Sequence, residues 1–194
     1  MDTQRQRILE AAAAEFVERG YAATSVDSIA ARARIGKARF YRSFENRQQC
    51  FLALFDFVAG EAARRIEEAA APAPDWPARI AAALRALFEF AAEQPLALRA
   101  CLGEAFAAGP TGIERYERMQ EEWGRCLRDG RALNPRGEDL PASLERTLSG
   151  GVFWALTQWL NATQQRQSLD DLYRDTLRFL LTPYLGEAGA YDAM

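Results

Sequence analysis

The sequence contains no histidine, a single lysine and only three cysteines. Each scarcity removes a class of function. Without imidazole, no Ser-His-Asp triad, histidine-ligated metal centre or histidine general base can be assembled. Cys50, Cys101 and Cys126 are spaced too widely for a zinc site or a disulfide framework, and they read as small buried hydrophobes. No apolar run follows a basic start, so no signal peptide is read and a reduced, cytoplasmic protein is expected. Residues 147–165 lack any charge, yet they hold too much Thr, Ser, Asn and Gln for a membrane span. That stretch reads as a helix covered on more than one side. Sustained period-2 alternation is absent, as is any internal repeat, so the fold class is all-α.

What is present is concentrated between Thr24 and Arg47. Val26, Ile29, Ala30 and Ala33 share one helical face, and Thr24 with Asp27 predicts a capping box in front of it. Arg34-Ile35-Gly36 interrupts the pattern, and Phe40, Tyr41 and Phe44 resume it. Asn46 with Gln49 predicts the cap of a following helix. Two short helices across a tight turn form a helix-turn-helix, whose second helix enters the DNA major groove. Within 24–47 the six cations outnumber two anions for a net +4, whereas the whole chain is −3 and the remainder therefore −7. A local basic patch on an acidic chain fits a phosphate footprint.

Phe16, Gly20, Tyr21, Thr24, Ser25, Ile29, Ala30, Lys37, Tyr41 and Phe44 resemble, in order and spacing, the amino-terminal domain of the TetR family of bacterial transcriptional regulators. Arg34 stands where that family usually has Gly, Gly36 where it has Ser, and Ala38 where it has Gly. Either Arg34 bears turn strain, or Gly36 takes the unusual backbone angles. The resemblance implies a head over 1–47, with the helix-turn-helix at about 25–44, and a helical effector-binding and dimerisation domain over 48–194. It also implies that the last two long helices pack against those of a second subunit, and that the helices before them enclose an effector pocket.

Around that stretch the chain reads as further helices. A first helix over 3–19 has a Thr3–Gln6 cap, an inner stripe including Ile8 and Phe16, and Gly20 as its left-handed stop. With Val26, Ile29, Phe40 and Phe44, these residues are the expected head core. A helix over about 47–70 follows, then a Pro-rich break at 71–77. Helices are expected at about 77–93, 96–107, 111–132, 139–166 and 168–185, the last capped by Ser168 with Asp171. Gly150-Gly151 inside an uncharged helix costs about 1 kcal/mol per Gly relative to Ala, which a close helix approach would offset; a kink is the other reading.

The candidate DNA-binding residues are Ser25, Lys37, Arg39, Tyr41, Arg42 and Arg47. Lys37, Arg39 and Arg42 lie on the recognition helix, where Arg reads guanine through a bidentate fork or contacts phosphate. Ser25, Tyr41 and Arg47 match positions at which the family touches the DNA backbone, contacts that position without reading sequence. The candidate effector pocket is Phe88, Phe106, Trp123, Phe153, Trp154, Thr157 and Gln158, an apolar set with a few polar groups; the same aromatics at helical spacing also read as plain core. No metal, cofactor or catalytic group is expected. The functional expectation is a homodimeric, ligand-responsive repressor of a pseudo-palindromic operator, with a small, largely apolar effector and dimerisation through 139–166 and 168–185. An all-α carrier or enzyme whose basic head has lost DNA binding is the alternative.

Overall fold

In the computed structural model, residues 3–162 and 167–193 are described, and among them every regular element is helical. The helices are α1 (Thr3–Ala23), α2 (Val26–Arg32), α3 (Lys37–Ser43), α4 (Arg47–Ala70), α5 (Trp76–Glu93), α6 (Pro95–Glu104), α7 (Pro110–Arg128), α8 (Leu144–Asn161) and α9 (Leu169–Asp192). Two short 3-10 segments, Asp129–Leu133 and Gly137–Asp139, lie between α7 and α8. The Thr3 side chain of the expected cap, and the expected end of the eighth helix at 166, fall outside what is described. The chain divides into two compact units, Met1–Gly60 with Gln94–Glu117, and Glu61–Glu93 with Arg118–Met194.

In the first unit, α1, α2 and α3 close over a core of Ile8, Phe16, Ile29, Phe40 and Phe44, each nearly solvent-free. Burying side chains of this size stabilises by about 1.5–3 kcal/mol each, which is why short helices can persist here. Val26, expected in that core, is only half-buried. Phe16, Tyr21 and Phe51 form an aromatic triangle with ring centroids 5.3–5.6 Å apart. Gly20 breaks α1 with φ 75°, as its left-handed stop requires, and residues 21–23 form a separate turn beyond it.

The expected box of Thr24 with Asp27 is not formed. Ser25 is the N-cap of α2: its hydroxyl accepts from Ser28 N–H, and Ser28 Oγ accepts from Ser25 N–H. Thr24 is buried and turns the other way, donating to the carbonyls of Glu15 at 3.1 Å and Gly20 at 2.8 Å. The Gly20 break frees carbonyls for a donor, and Thr24 supplies it. The Asn46 cap of α4 forms as expected, with Gln49 N–H donating to Asn46 Oδ1 at 2.8 Å.

In the second unit, α5 buries Trp76, Ile80, Leu84, Leu87 and Phe88, and α9 buries Tyr173, Thr176, Leu177, Leu180, Leu181 and Tyr184. Trp76 meets Tyr184 edge-on at 5.0 Å and donates its indole N–H to the Cys126 carbonyl at 3.0 Å. Helix α8 begins at Leu144 rather than 139. The guanidinium of Arg131 explains the difference, because it gathers the carbonyls of Gly137, Leu140 and Pro141 and so fixes that segment as a loop. The same group makes a two-pronged pair with the buried Glu145, at 2.6 and 3.1 Å. Burial pushes the Glu145 carboxyl up, but the hydrogen bond and charge of Arg131 prevail and hold it below the usual carboxylate range.

Helix α9 takes its Ser168 cap as expected, with Asp171 N–H donating to Ser168 Oγ. It breaks at Gly186, where φ is 72°. Cys50 and Cys101 are buried as read, and burial pushes the Cys50 thiol up to about 12. Cys126 is exposed, contrary to its reading. It lies one residue from buried Leu127, on the outer side of α7.

Candidate nucleic-acid interface

Helix α3 has seven residues, and only Phe40 among them is buried. Phe40 and Phe44 pin it from beneath, with ring centroids 5.7 Å apart. Lys37, Ala38, Arg39, Tyr41 and Arg42 all face solvent. So short a helix leaving most of its residues exposed gains its order from tertiary contact rather than its own propensity. One such contact is Arg5 of α1, which stacks over Phe44 at 4.4 Å and donates to the Ser43 carbonyl at 3.1 Å. A cation at this end favours the negative pole of α3.

The turn before α3 resolves the Arg34 question. Arg34 itself holds the left-handed angle, φ 54°, while Gly36 is extended at φ −77° and caps α3 without a side-chain bond. An L-residue held there costs on the order of 1–2 kcal/mol. The helix behind it, α2, is tied to α1 by Arg32, which meets Glu15 at 2.7 Å and also pairs with Glu18. Burial raises the Glu15 carboxyl, but hydrogen bonds from Ser28 and Arg32 and the nearby Arg charges outweigh it, leaving the group below its ordinary value. Arg32 therefore braces the head from inside it.

The six DNA-binding candidates separate on this frame. Lys37, Arg39, Tyr41 and Arg42 are presented together on the exposed sides of α3. Ser25 is exposed at the start of α2, with its hydroxyl oriented by the capping box. Arg47 is differently employed. Its guanidinium lies over the Tyr21 ring at 4.2 Å and donates to the carbonyls of Ala22 at 3.0 Å and Thr24 at 2.5 Å. Both bonds come from Nη1, and through them Arg47 braces the α1–α2 junction. A second brace comes from far along the chain: Glu104 of α6 accepts from Tyr21 N–H at 2.7 Å. That amide follows the Gly20 break and has lost its helical partner. Neither Glu104 nor Arg5 was found by reading the sequence, since nothing local marks a carboxylate that acts 83 residues away.

The effector candidates are not brought together as one lining. Trp123 and Phe153 meet edge-on at 6.3 Å, and Phe88 packs against Tyr173 at 6.4 Å, all within the core of the second unit. Thr157 returns its hydroxyl to the Phe153 carbonyl. Trp154 is 65% exposed and Gln158 is also exposed, while Phe106 is 58% exposed in the first unit, beside Tyr116. Trp154 and Gln158 lie on the surface because α8 turns Leu148, Val152, Phe153, Leu156 and Leu160 inward, leaving these two one turn apart on the outside. Among the described residues no group of His, Cys, Asp or Glu is placed to hold a metal ion, and no helix is long and apolar enough to cross a membrane.

A three-helix head whose third helix is pinned from beneath, carries cations and is otherwise exposed has the architecture of a helix-turn-helix. Residues 8–54 match the family model described as bacterial regulatory proteins, tetR family. Over that quarter of the chain the head is similar to those of the TetR family of bacterial transcriptional regulators. It is 27% identical over 144 residues to the HTH-type transcriptional repressor SCO4008 of Streptomyces coelicolor, covering 73% of this chain and 71% of that protein. Other curated relatives match over less, and the chain spans about half their length. Its fold is that of the fatty acid degradation regulator FadR from Bacillus halodurans, with TM-score 0.79 at 19% identity, covering 93% of this chain and 96% of that one. AibR, solved with isovaleryl coenzyme A and operator DNA, is similar with TM-score 0.73 at 15% identity over 92% of this chain and 98% of its own.

Proposed function

We propose that the protein is a homodimeric, effector-responsive repressor that binds a pseudo-palindromic operator through α3. The observation that carries this reading is the exposure of Lys37, Arg39, Tyr41 and Arg42 on a helix whose one buried residue is Phe40. In the proposed complex Arg39 reads a base edge, Arg42 reads a base or holds phosphate, and Ser25 and Tyr41 hold the DNA backbone. Arg47 supports Ser25 by fixing the carbonyls of Ala22 and Thr24. In vitro selection from random duplexes tests the reading. It should return two related half-sites about one helical turn apart, roughly 34–36 Å or a multiple. A pool with no enriched motif would reject it.

The second copy is proposed to pack on the outward face of α8 and α9. Trp154 and Phe179 are 65% and 47% exposed there, and α8 carries no charge after Arg146. An apolar surface of this kind is uncommon on a monomer and suits an isologous interface. The effector is proposed to be largely apolar and to bind near Trp123 and Phe153. AibR, whose structure holds an acyl coenzyme A, supports testing acyl thioesters among the candidates. Such a ligand can weaken DNA binding only by preferring the conformation that fits the operator poorly. Trp fluorescence titration, with operator release followed in parallel, tests both halves of this proposal.

A further inference from the structure

Lys37 is the only lysine in the chain and the first residue of α3, an end where the helix dipole disfavours a cation. Its ammonium is not free: Nζ lies 2.6 Å from Asp27 Oδ1 on α2. Both side chains are about 60% exposed, so water screens the pair and it opens readily. Asp27 and Glu45 are the only acids between Thr24 and Arg47. No ion pair among the described residues involves Arg34, Arg39 or Arg42. Asp27 therefore singles out one cation of this face.

We propose that Asp27 is a specificity-determining residue that steers Lys37 away from phosphate and toward a base edge. The proposal rests on the DNA-binding reading given above. An ammonium has three N–H donors, so Lys37 can keep one on Asp27 and offer another to a neutral acceptor such as guanine O6 or N7. A phosphate oxygen is anionic. Bringing it to the same ammonium places it within ion-pair range of the Asp27 carboxylate, and the two anions repel. Non-specific binding draws almost all its affinity from phosphate neutralisation, so it bears this penalty in full. Operator binding, which uses Lys37 on a base, bears little of it. Asp27 thereby widens the gap between right and wrong DNA at the expense of total attraction.

The test compares wild type, Asp27→Asn, Lys37→Ala and the double variant on a selected operator duplex and a scrambled duplex of equal length, across a salt series. Asp27→Asn should tighten the scrambled duplex and steepen its log K against log salt slope by about 0.9, one additional phosphate contact. That steepening makes the gain about three- to fourfold larger at 50 mM salt than at 200 mM. The operator should tighten less, so the ratio of operator to scrambled affinity falls. With Lys37→Ala already present, Asp27→Asn should no longer move that ratio. Asp27→Glu, which keeps the charge, should behave as wild type, and Asp27→Ser serves if the Asn variant melts early by loss of charge in the first turn of α2. Equal gains on both duplexes, or the same gains without Lys37, would overturn the proposal alone. A wild type that bound neither duplex would overturn the DNA-binding reading and this proposal with it.

Discussion

The exposed sides of α3 and the outward side of α8 are both helix surfaces left open in this chain, yet they are made from opposite materials. Helix α3 offers Lys37, Arg39 and Arg42, while α8 offers Trp154 and Gln158 on a run without charge. The first suits a polyanion, and the second suits an apolar partner. Each of the two units also holds a buried glutamate paired with an arginine, Glu15 with Arg32 and Glu145 with Arg131. The pairs differ in completeness. Glu145 receives two prongs from Arg131 and a hydrogen bond from Tyr184, whereas the second oxygen of Glu15 lies 3.2 Å from Arg19 without a well-directed hydrogen bond. A fully satisfied buried acid fixes one conformation, and a partly satisfied one leaves its helices easier to shift. By this measure the Glu15 pair is the less complete of the two.

The largest effect expected from breaking this comparison is at Arg131. Arg131→Ala would leave Glu145 buried beside Tyr184 with no cation, and should cost about 3 kcal/mol by urea denaturation. Arg32→Ala should cost less, because Glu15 keeps Arg19 and Arg32 is one-third exposed. Equal losses would remove the distinction between the two units. Both carboxyls titrate below their ordinary range, so the unfolded chain takes up protons first as pH falls. The stability each pair contributes is therefore present above about pH 4.3 and is lost below it as the folded carboxyls protonate. Melting temperature should fall through that window, and Arg131→Ala should flatten the fall.

The α8 face comes next. A Cβ on Gly151 would stand 2.9 Å from the Phe179 ring, so Gly151→Leu must displace that ring. The cost should be about 1–3 kcal/mol of overpacking, together with dissociation of the proposed dimer in sedimentation. A variant that remained dimeric with unchanged stability would place the interface elsewhere. On the α3 face, Arg39→Ala should weaken operator binding by roughly 1–3 kcal/mol and relax selection at one base pair in each half-site, with the melting temperature unchanged. An unaltered selected motif would remove its role as base reader. The smallest effect should be a gain. Arg34→Gly relieves the left-handed angle, and the added chain entropy of Gly offsets part of it, leaving about 0.5 kcal/mol of stabilisation in a thermal melt.

The helical class, the two short helices of the head, the Asn46 and Ser168 caps and the cationic set on α3 were legible in the sequence because each rests on neighbours within about two turns. Periodicity places Phe40 and Phe44 on one face whatever the rest of the chain does. Three decisions needed the tertiary structure. The sequence reads Arg47 as a DNA contact; its side chain is long enough to reach several partners, and its Nη1 also meets the carbonyls bared beyond the Gly20 break. Trp154 was read as pocket lining, but in an uncharged helix no polar stripe marks the outside. Only packing of Val152, Leu156 and Leu160 inward turns it to the surface. Glu104 was not read at all, since the amide it serves is orphaned by a break in another helix. Helical spacing determines which residues share a side of their own helix; which side meets solvent, and which distant group fills a vacancy, depends on elements that spacing cannot bring together.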